Sequence, residues 1–239
     1  MLEPPLAEEA FVKLSRSLLV FSVAFTFFQL SPAYLPYSAP PHDLLRVGDL
    51  LDLCTPLVLL PLYALLLWHR HGGWPGWPKM ILFLVLLAAW GEGHSLHLAA
   101  NALGHLIVPQ ASSPAWRLDY FLDEHLSHII WHSAIILLSL VLLNGPLGDT
   151  KVPTLASASF GLPYGFSFFA ITVEGQTPAI GILAALSILV WLGSRWKNRK
   201  GDALSVFFAS GYLLALLLYF VWYLMQGGLP QFSEVGLIK

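Results

Sequence analysis

The sequence predicts an all-α, polytopic membrane protein: a bundle of seven transmembrane helices, N-terminus cytoplasmic and C-terminus outside. Three observations lead there. Hydrophobic residues make up 56% of the chain and charged residues 11%, with a mean hydropathy of +0.69, where a soluble domain carries about 25% charged residues. Seven apolar stretches are long enough to cross a bilayer, which takes about 20 helical residues. Lys and Arg divide unevenly between the two faces that seven crossings create.

The spans are expected near 11–30, 47–68, 79–107, 118–143, 153–173, 177–195 and 203–226, forming one domain over 1–239. Turn-forming connections separate them: SPAYLPYSAPPH, HGGWPGWP, PQASSPAW, NGPLGDTKVP and the basic RWKNRKGD. If the N-terminus and the loops after spans 2, 4 and 6 share a face, that face holds nine of the twelve Lys and Arg. The other holds Arg46, Arg117 and Lys239. Positive charge stays cytoplasmic, which sets the orientation. Three glutamates precede the first apolar run and no small-residue cleavage pattern follows it, so no cleaved signal peptide is expected. The single cysteine, Cys54, excludes an intramolecular disulfide and a multi-cysteine metal centre. A net charge of −2 without a long basic run excludes nucleic acid as a partner.

Six of the nine histidines lie between residues 94 and 132, in WGEGHSLHLAANALGH and LDYFLDEHLSHIIWH. Ionisable side chains within a span are costly and mark function by default. On span 3, His94, His97, Asn101 and His105 follow i, i+3, i+7, i+11 and share a helix face. On span 4, His125, His128 and His132 follow i, i+3, i+7, with Glu124 one turn before His128. If the two spans pack antiparallel, residues whose numbers sum to about 225 share a depth. His97 then meets His128, Asn101 meets Glu124, His105 meets Asp119, and Glu92 meets His132.

Imidazoles and carboxylates in this pattern point to a buried divalent metal ion, zinc favoured and iron or copper possible. His97, His128 and His132 are the expected ligands, with His94, His105 and His125 as further candidates. Glu124 or Glu92 is the expected base for a metal-bound water. Asn101, Asp119, Asp123, Asp52 and Glu174 suit roles that orient the ligands. Simpler readings stand beside these. Asp119 and Asp123 fall on the face of span 4 away from the histidines, where a helix start or a contact with another helix explains them. Asp49 and Asp52 open span 2 as caps, and His42, His69 and His71 fall in loops. Glu174 is either a turn residue or a lid carboxylate, and the apolar tail GGLPQFSEVGLIK is expected to fold over the site. The inner halves of the spans read as Leu, Ile, Val, Phe and Ala. That makes the polar region a cup open to the outer face, and disfavours transport.

Seven spans, a buried Ser/His/acidic set and the H-x-x-W-H pattern at His128 to His132 resemble the alkaline ceramidase and adiponectin-receptor superfamily of membrane hydrolases. The resemblance implies zinc on His97, His128 and His132, acid–base work for Glu92 or Glu124, assistance from Ser95, and cleavage of an amide in a lipid. The expected function is thus a membrane-embedded, metal-dependent enzyme, facing outward from a plasma or inner membrane and hydrolysing a lipid or other apolar small molecule. An iron or copper oxidoreductase of the hydroxylase or desaturase type, and a non-enzymatic metal- or haem-binding protein, remain as alternatives.

Overall fold

The computed structural model describes residues 4–35, 37–107, 112–147 and 154–238, without the side chains of 4–13, 42–44 and 105. Each expected apolar stretch is a helix: α1 (Pro4–Leu30), α2 (Val47–His71), α3 (Trp77–Ile107), α4 (Pro114–Leu143), α5 (Thr154–Glu174), α6 (Pro178–Ser194) and α7 (Ala203–Gln226). Among the described residues six of these regions are long and apolar enough to cross a membrane; α6, with 17 residues, is shorter. The chain is an all-α, multi-pass integral membrane protein, and its outer surface fits a lipid solvent. Leu57, Val85, Val190 and Leu213 are each more than half exposed. The segment after α1, expected as a loop, holds a short 3-10 helix (Ser31–Tyr34) and a small antiparallel hairpin, Ser38–Ala39 with His42–Arg46. Arg46 closes that hairpin and grips Asp49 in the first turn of α2 through Nε and Nη2.

Lipid offers no hydrophobic driving force between helices, so close contact must come from small residues and polar bonds. Gly161 and Gly165, one turn apart on α5, bring that helix against α7. A Cβ on Gly165 would collide with the carbonyl of Gly211. Ser210 Oγ, on α7, donates to Ala158 O across the same seam at 2.9 Å. α1 packs on α2 and α5, α3 packs on α4, and α6 packs on α7.

The floor of the bundle is more polar than the sequence suggests. Ser139, Tyr164 and Tyr212 form a closed triangle of buried hydroxyls with edges of 3.1, 3.2 and 3.0 Å. Tyrosine reads as apolar in a hydropathy average, yet a buried hydroxyl needs a partner. Near the basic end, Arg70 pairs with Asp202 and also reaches the carbonyl of Gly145. Asp202 caps α7 through the Ser205 N–H at 3.1 Å. Both charged side chains belong to the interior rather than to loops.

His94 also serves the fold. Pro56 lies inside α2 and has no N–H, so the carbonyl of Asp52, its partner four residues back, has no helical donor. The His94 Nε2–H supplies one from α3 at 3.0 Å. The ring is buried, stacks on Trp90 with centroids 5.1 Å apart, and lies edge-on to Trp131. A histidine expected as a candidate metal ligand therefore replaces a helical hydrogen bond that proline removed.

Asp202→Ala leaves Arg70 buried without its counter-ion and is expected to cost about 3–5 kcal/mol, whereas replacing both residues by apolar ones recovers most of the loss. Thermal unfolding of the purified protein in detergent measures this. His94→Ala is expected to cost about 1–3 kcal/mol. The loss should shrink in a Pro56→Ala background, where α2 supplies its own donor; a double-mutant cycle on the same assay reads the coupling.

Candidate functional site

Gly93 sets the distance between α3 and α4. A Cβ there would sit 2.7 Å from the Trp131 nitrogen and 2.8 Å from the Ser127 carbonyl, so the two backbones touch. Antiparallel contact at this point places His97 against His128, with ring centroids 4.6 Å apart. The His97 Nδ1–H donates to Asp123 Oδ1 at 2.7 Å. Asp123 was expected on the opposite face of its helix. The reason for the difference is local: residues Phe121–Ser127 form a π-helical turn. The wider i→i+5 turn carries more residues per revolution and turns Asp123 toward α3. Ser127 Oγ bonds the Asp123 carbonyl inside this turn.

The other two leading histidines are fixed in the same way. The His128 Nδ1–H donates to the carbonyl of Glu124 at 3.2 Å, and His132 Nδ1 is hydrogen-bonded to Thr177 Oγ1 at 2.6 Å. Thr177 begins the turn into α6, and nothing in the spacing of residues links it to His132, 45 positions earlier. Gly175 in the same turn is pressed on both rings: a Cβ would lie 2.7 Å from His132 Cε1 and 2.9 Å from His128 Cδ2. Its place in ITVEGQTP is the one sequence signal that backbone approaches something here.

The remaining candidates separate. Asn101, Asp52, Asp123, Glu124 and Glu174 line one cavity with His97 and His128. Glu92 and Ser95 are exposed on the outside of α3, and neither lines that cavity. His125 is also exposed, packed against the rings of Tyr120 and Phe121. Asp119 sits beside Gly104 at the end of α3, away from the cavity wall. The His105 side chain lies outside the described residues.

The cavity encloses about 780 Å³ at the end of the bundle where α1, α3, α5 and α7 finish. One part of its wall is polar, with His97, Asp123, Glu124 and His128. Another is apolar, with Phe166, Phe169, Leu218, Val221 and Met225. The tail after α7 completes the enclosure through Gln231, Phe232, Ser233 and Leu237. Glu174 holds it by accepting the N–H groups of Phe232 at 2.7 Å and Ser233 at 3.3 Å and the Ser233 hydroxyl at 2.5 Å. The Gln231 amide donates to the Glu174 carbonyl and, at 3.4 Å, to Glu124 Oε2, which the Gln176 amide also reaches at 3.3 Å. Gln176 and Gln231 had no place in the sequence reading because no helical spacing includes them. Glu174, expected as a turn residue or a lid carboxylate, ends α5 and accepts from the tail.

The donor set suits a metal ion in kind. Nδ1 of His97, His128 and His132 is hydrogen-bonded within the protein, which in the neutral Nδ1–H tautomer leaves Nε2 as the metal-binding atom. His132 Nε2 is buried with no hydrogen-bond partner. The placement is less favourable. His128 and His132 are stacked at 13° with centroids 5.3 Å apart. Among the described residues no three His, Cys, Asp or Glu groups are arranged to hold an ion. Joint ligation requires one of the stacked rings to turn.

No protein-family model and no solved structure matches the chain. It is similar to the ceroid-lipofuscinosis neuronal protein 6 homolog of Canis lupus familiaris, 24% identical over 136 residues, and to ceroid-lipofuscinosis neuronal protein 6 of Homo sapiens, 25% identical over 136 residues. In each case the match covers 55% of this chain and 44% of the relative, so the chain corresponds to less than half the length of these curated relatives.

Proposed function

We propose that this chain is a membrane-embedded, metal-dependent enzyme that hydrolyses a lipid or other apolar molecule bearing a polar head. The observation that carries the reading is the cavity itself, which joins a histidine and carboxylate wall to an apolar wall at one end of the apolar helices. Amphiphiles need both. The carboxylates of Asp52, Asp123, Glu124 and Glu174 line it, and Arg46, also on the wall, is held by Asp49. This charge balance favours a neutral or cationic head over an anionic one.

All seven helices cross in this reading, N-terminus cytoplasmic and cavity outward. The basic residues Arg70, Lys79 and Arg195–Lys200 lie at the helix ends opposite the cavity, in keeping with positive charge on the cytoplasmic side. At about 1.5 Å per residue α6 is about 25 Å long, and flanking residues and slight bilayer thinning absorb the shortfall. A plasma or inner membrane is the corresponding location.

Zinc is the favoured ion, and the Nε2 atoms of His97, His128 and His132 would hold it once one of the stacked His128 and His132 rings has turned; His97 and His128 line the cavity and His132 lies behind them. When bound it would lower the pKa of a water and polarise the carbonyl to be cleaved. The chain's own groups do the rest. Asp123, Thr177 and the Glu124 carbonyl keep the three rings in one tautomer. The Glu124 carboxylate, steadied by Gln176 and Gln231, takes a proton from the attacking water and returns it to the leaving group. Glu92 and Ser95 have no part in this scheme. The stacking of His128 on His132 favours a second reading, a protein that binds an amphiphile without chemistry.

Elemental analysis of protein purified without chelators tests the reading. One zinc per chain is expected, lost in His97→Ala and His128→Ala. Product release from membrane lipid extracts should fall about 100-fold or more in Glu124→Gln, with metal retained. A wild type without stoichiometric metal removes the metal-dependent reading. Iron or copper in place of zinc shifts it to an oxidoreductase, and bound lipid with no metal and no product selects the second reading.

A further inference from the structure

We infer that the cavity is filled sideways from the bilayer, by an amphiphile whose chain enters between exposed apolar side chains, while residues 229–238 form a latched lid over its aqueous end. The inference rests on the amphiphile reading above and adds the route and source of the ligand.

The lid is a folded cap rather than a trailing end. Gly227 takes a left-handed conformation at φ 70° and turns the chain back after α7. The Trp222 Nε1–H then donates to the Pro230 carbonyl at 3.0 Å. The Phe232 ring packs on Trp222 at 4.9 Å and on Phe169 at 5.8 Å. The cap closes on itself through the Leu237 N–H to the Phe232 carbonyl at 2.9 Å. Its latch is Glu174, with three donors from the tail on one carboxylate. Glu174 ends α5, so the latch stands at the level of the helix ends, where lipid gives way to water.

The side wall is different. Phe166, Val221 and Met225 line the cavity and are also 46%, 40% and 69% exposed. Phe166 precedes Glu174 by eight residues and Val221 precedes Gln226 by five, placing them about 12 and 7.5 Å below the helix ends. A leaflet's hydrocarbon is about 15 Å thick. On the proposed route an opening in this wall faces acyl chains, and the cap covers the aqueous end. A chain entering past Phe166 and Val221 brings its head to His97 and Glu124 without leaving the membrane.

Thiol labelling in proteoliposomes tests the route. In a Cys54→Ser background, Ala170→Cys places one thiol on the cavity wall. A lipid-soluble maleimide is expected to modify that thiol readily, and a sulfonated, membrane-impermeant one at least about 10-fold more slowly. Glu174→Ala should raise the sulfonated rate about 10-fold, the effect of losing hydrogen bonds to a charged acceptor, with a smaller rise for Ser233→Ala. Neither should change the lipid-soluble rate. Val221→Trp should slow the lipid-soluble reagent alone. A sulfonated reagent that reaches the thiol as fast with Glu174 intact, or a lipid-soluble rate insensitive to Val221→Trp, overturns the proposal. Labelling requires neither metal nor turnover. The expected pattern in a metal-free chain therefore keeps the route and removes the metal-dependent reading, and equal labelling in a zinc-loaded active chain does the reverse.

Discussion

A polar group inside a bilayer has only protein to bond to, and that constraint shapes this bundle. Four imidazoles lie between α3 and its neighbours, and each has one nitrogen committed to a different kind of partner. His97 uses a carboxylate, His128 a carbonyl of its own helix, His132 a threonine hydroxyl, and His94 a carbonyl freed by proline. Those commitments fix ring orientation. In three of the four rings it is Nδ1 that is committed, and Nε2 is the other nitrogen.

Helix irregularities supply the partners. A regular α4 turns Asp123 away from His97; the π-helical turn at Phe121–Ser127 turns it back. A regular α2 spends the Asp52 carbonyl on its own backbone; Pro56 releases it to His94. Both devices forgo local hydrogen bonding for a contact between helices, which lipid by itself does not drive. Missing side chains play the matching part. Gly93 lets α3 reach the backbone of α4, Gly175 lets the α5–α6 turn reach the rings of His128 and His132, and Gly161 with Gly165 holds α5 against α7.

The same end of the bundle gathers a cavity with two kinds of wall and a tail that encloses it. Glu174 and Gln231 link that tail to Glu124, so the enclosure and the histidine wall belong to one hydrogen-bonded system. At the opposite end the Arg70–Asp202 pair and the Ser139–Tyr164–Tyr212 triangle occupy the region expected to be an apolar floor. The sequence argument against transport rested on that floor, and it loses that support.

Composition and apolar length by themselves determined the class, the helix positions and the one histidine-rich helix pair, because the cost of burying polar groups in lipid is written residue by residue. The 3.6-residue period placed His97 level with His128. That period is also where the reading of Asp123 failed, since a π-helical turn leaves no mark in an i, i+3, i+7 count. Only the tertiary structure assigned His94 to the Asp52 carbonyl, His132 to Thr177 and the tail to Glu174, which join residues 42, 45 and about 58 positions apart. Glu92 and Ser95 share a segment with His94 and His97 yet face outward. Which side of a helix is buried depends on what packs against it, and that is a property of the assembled bundle.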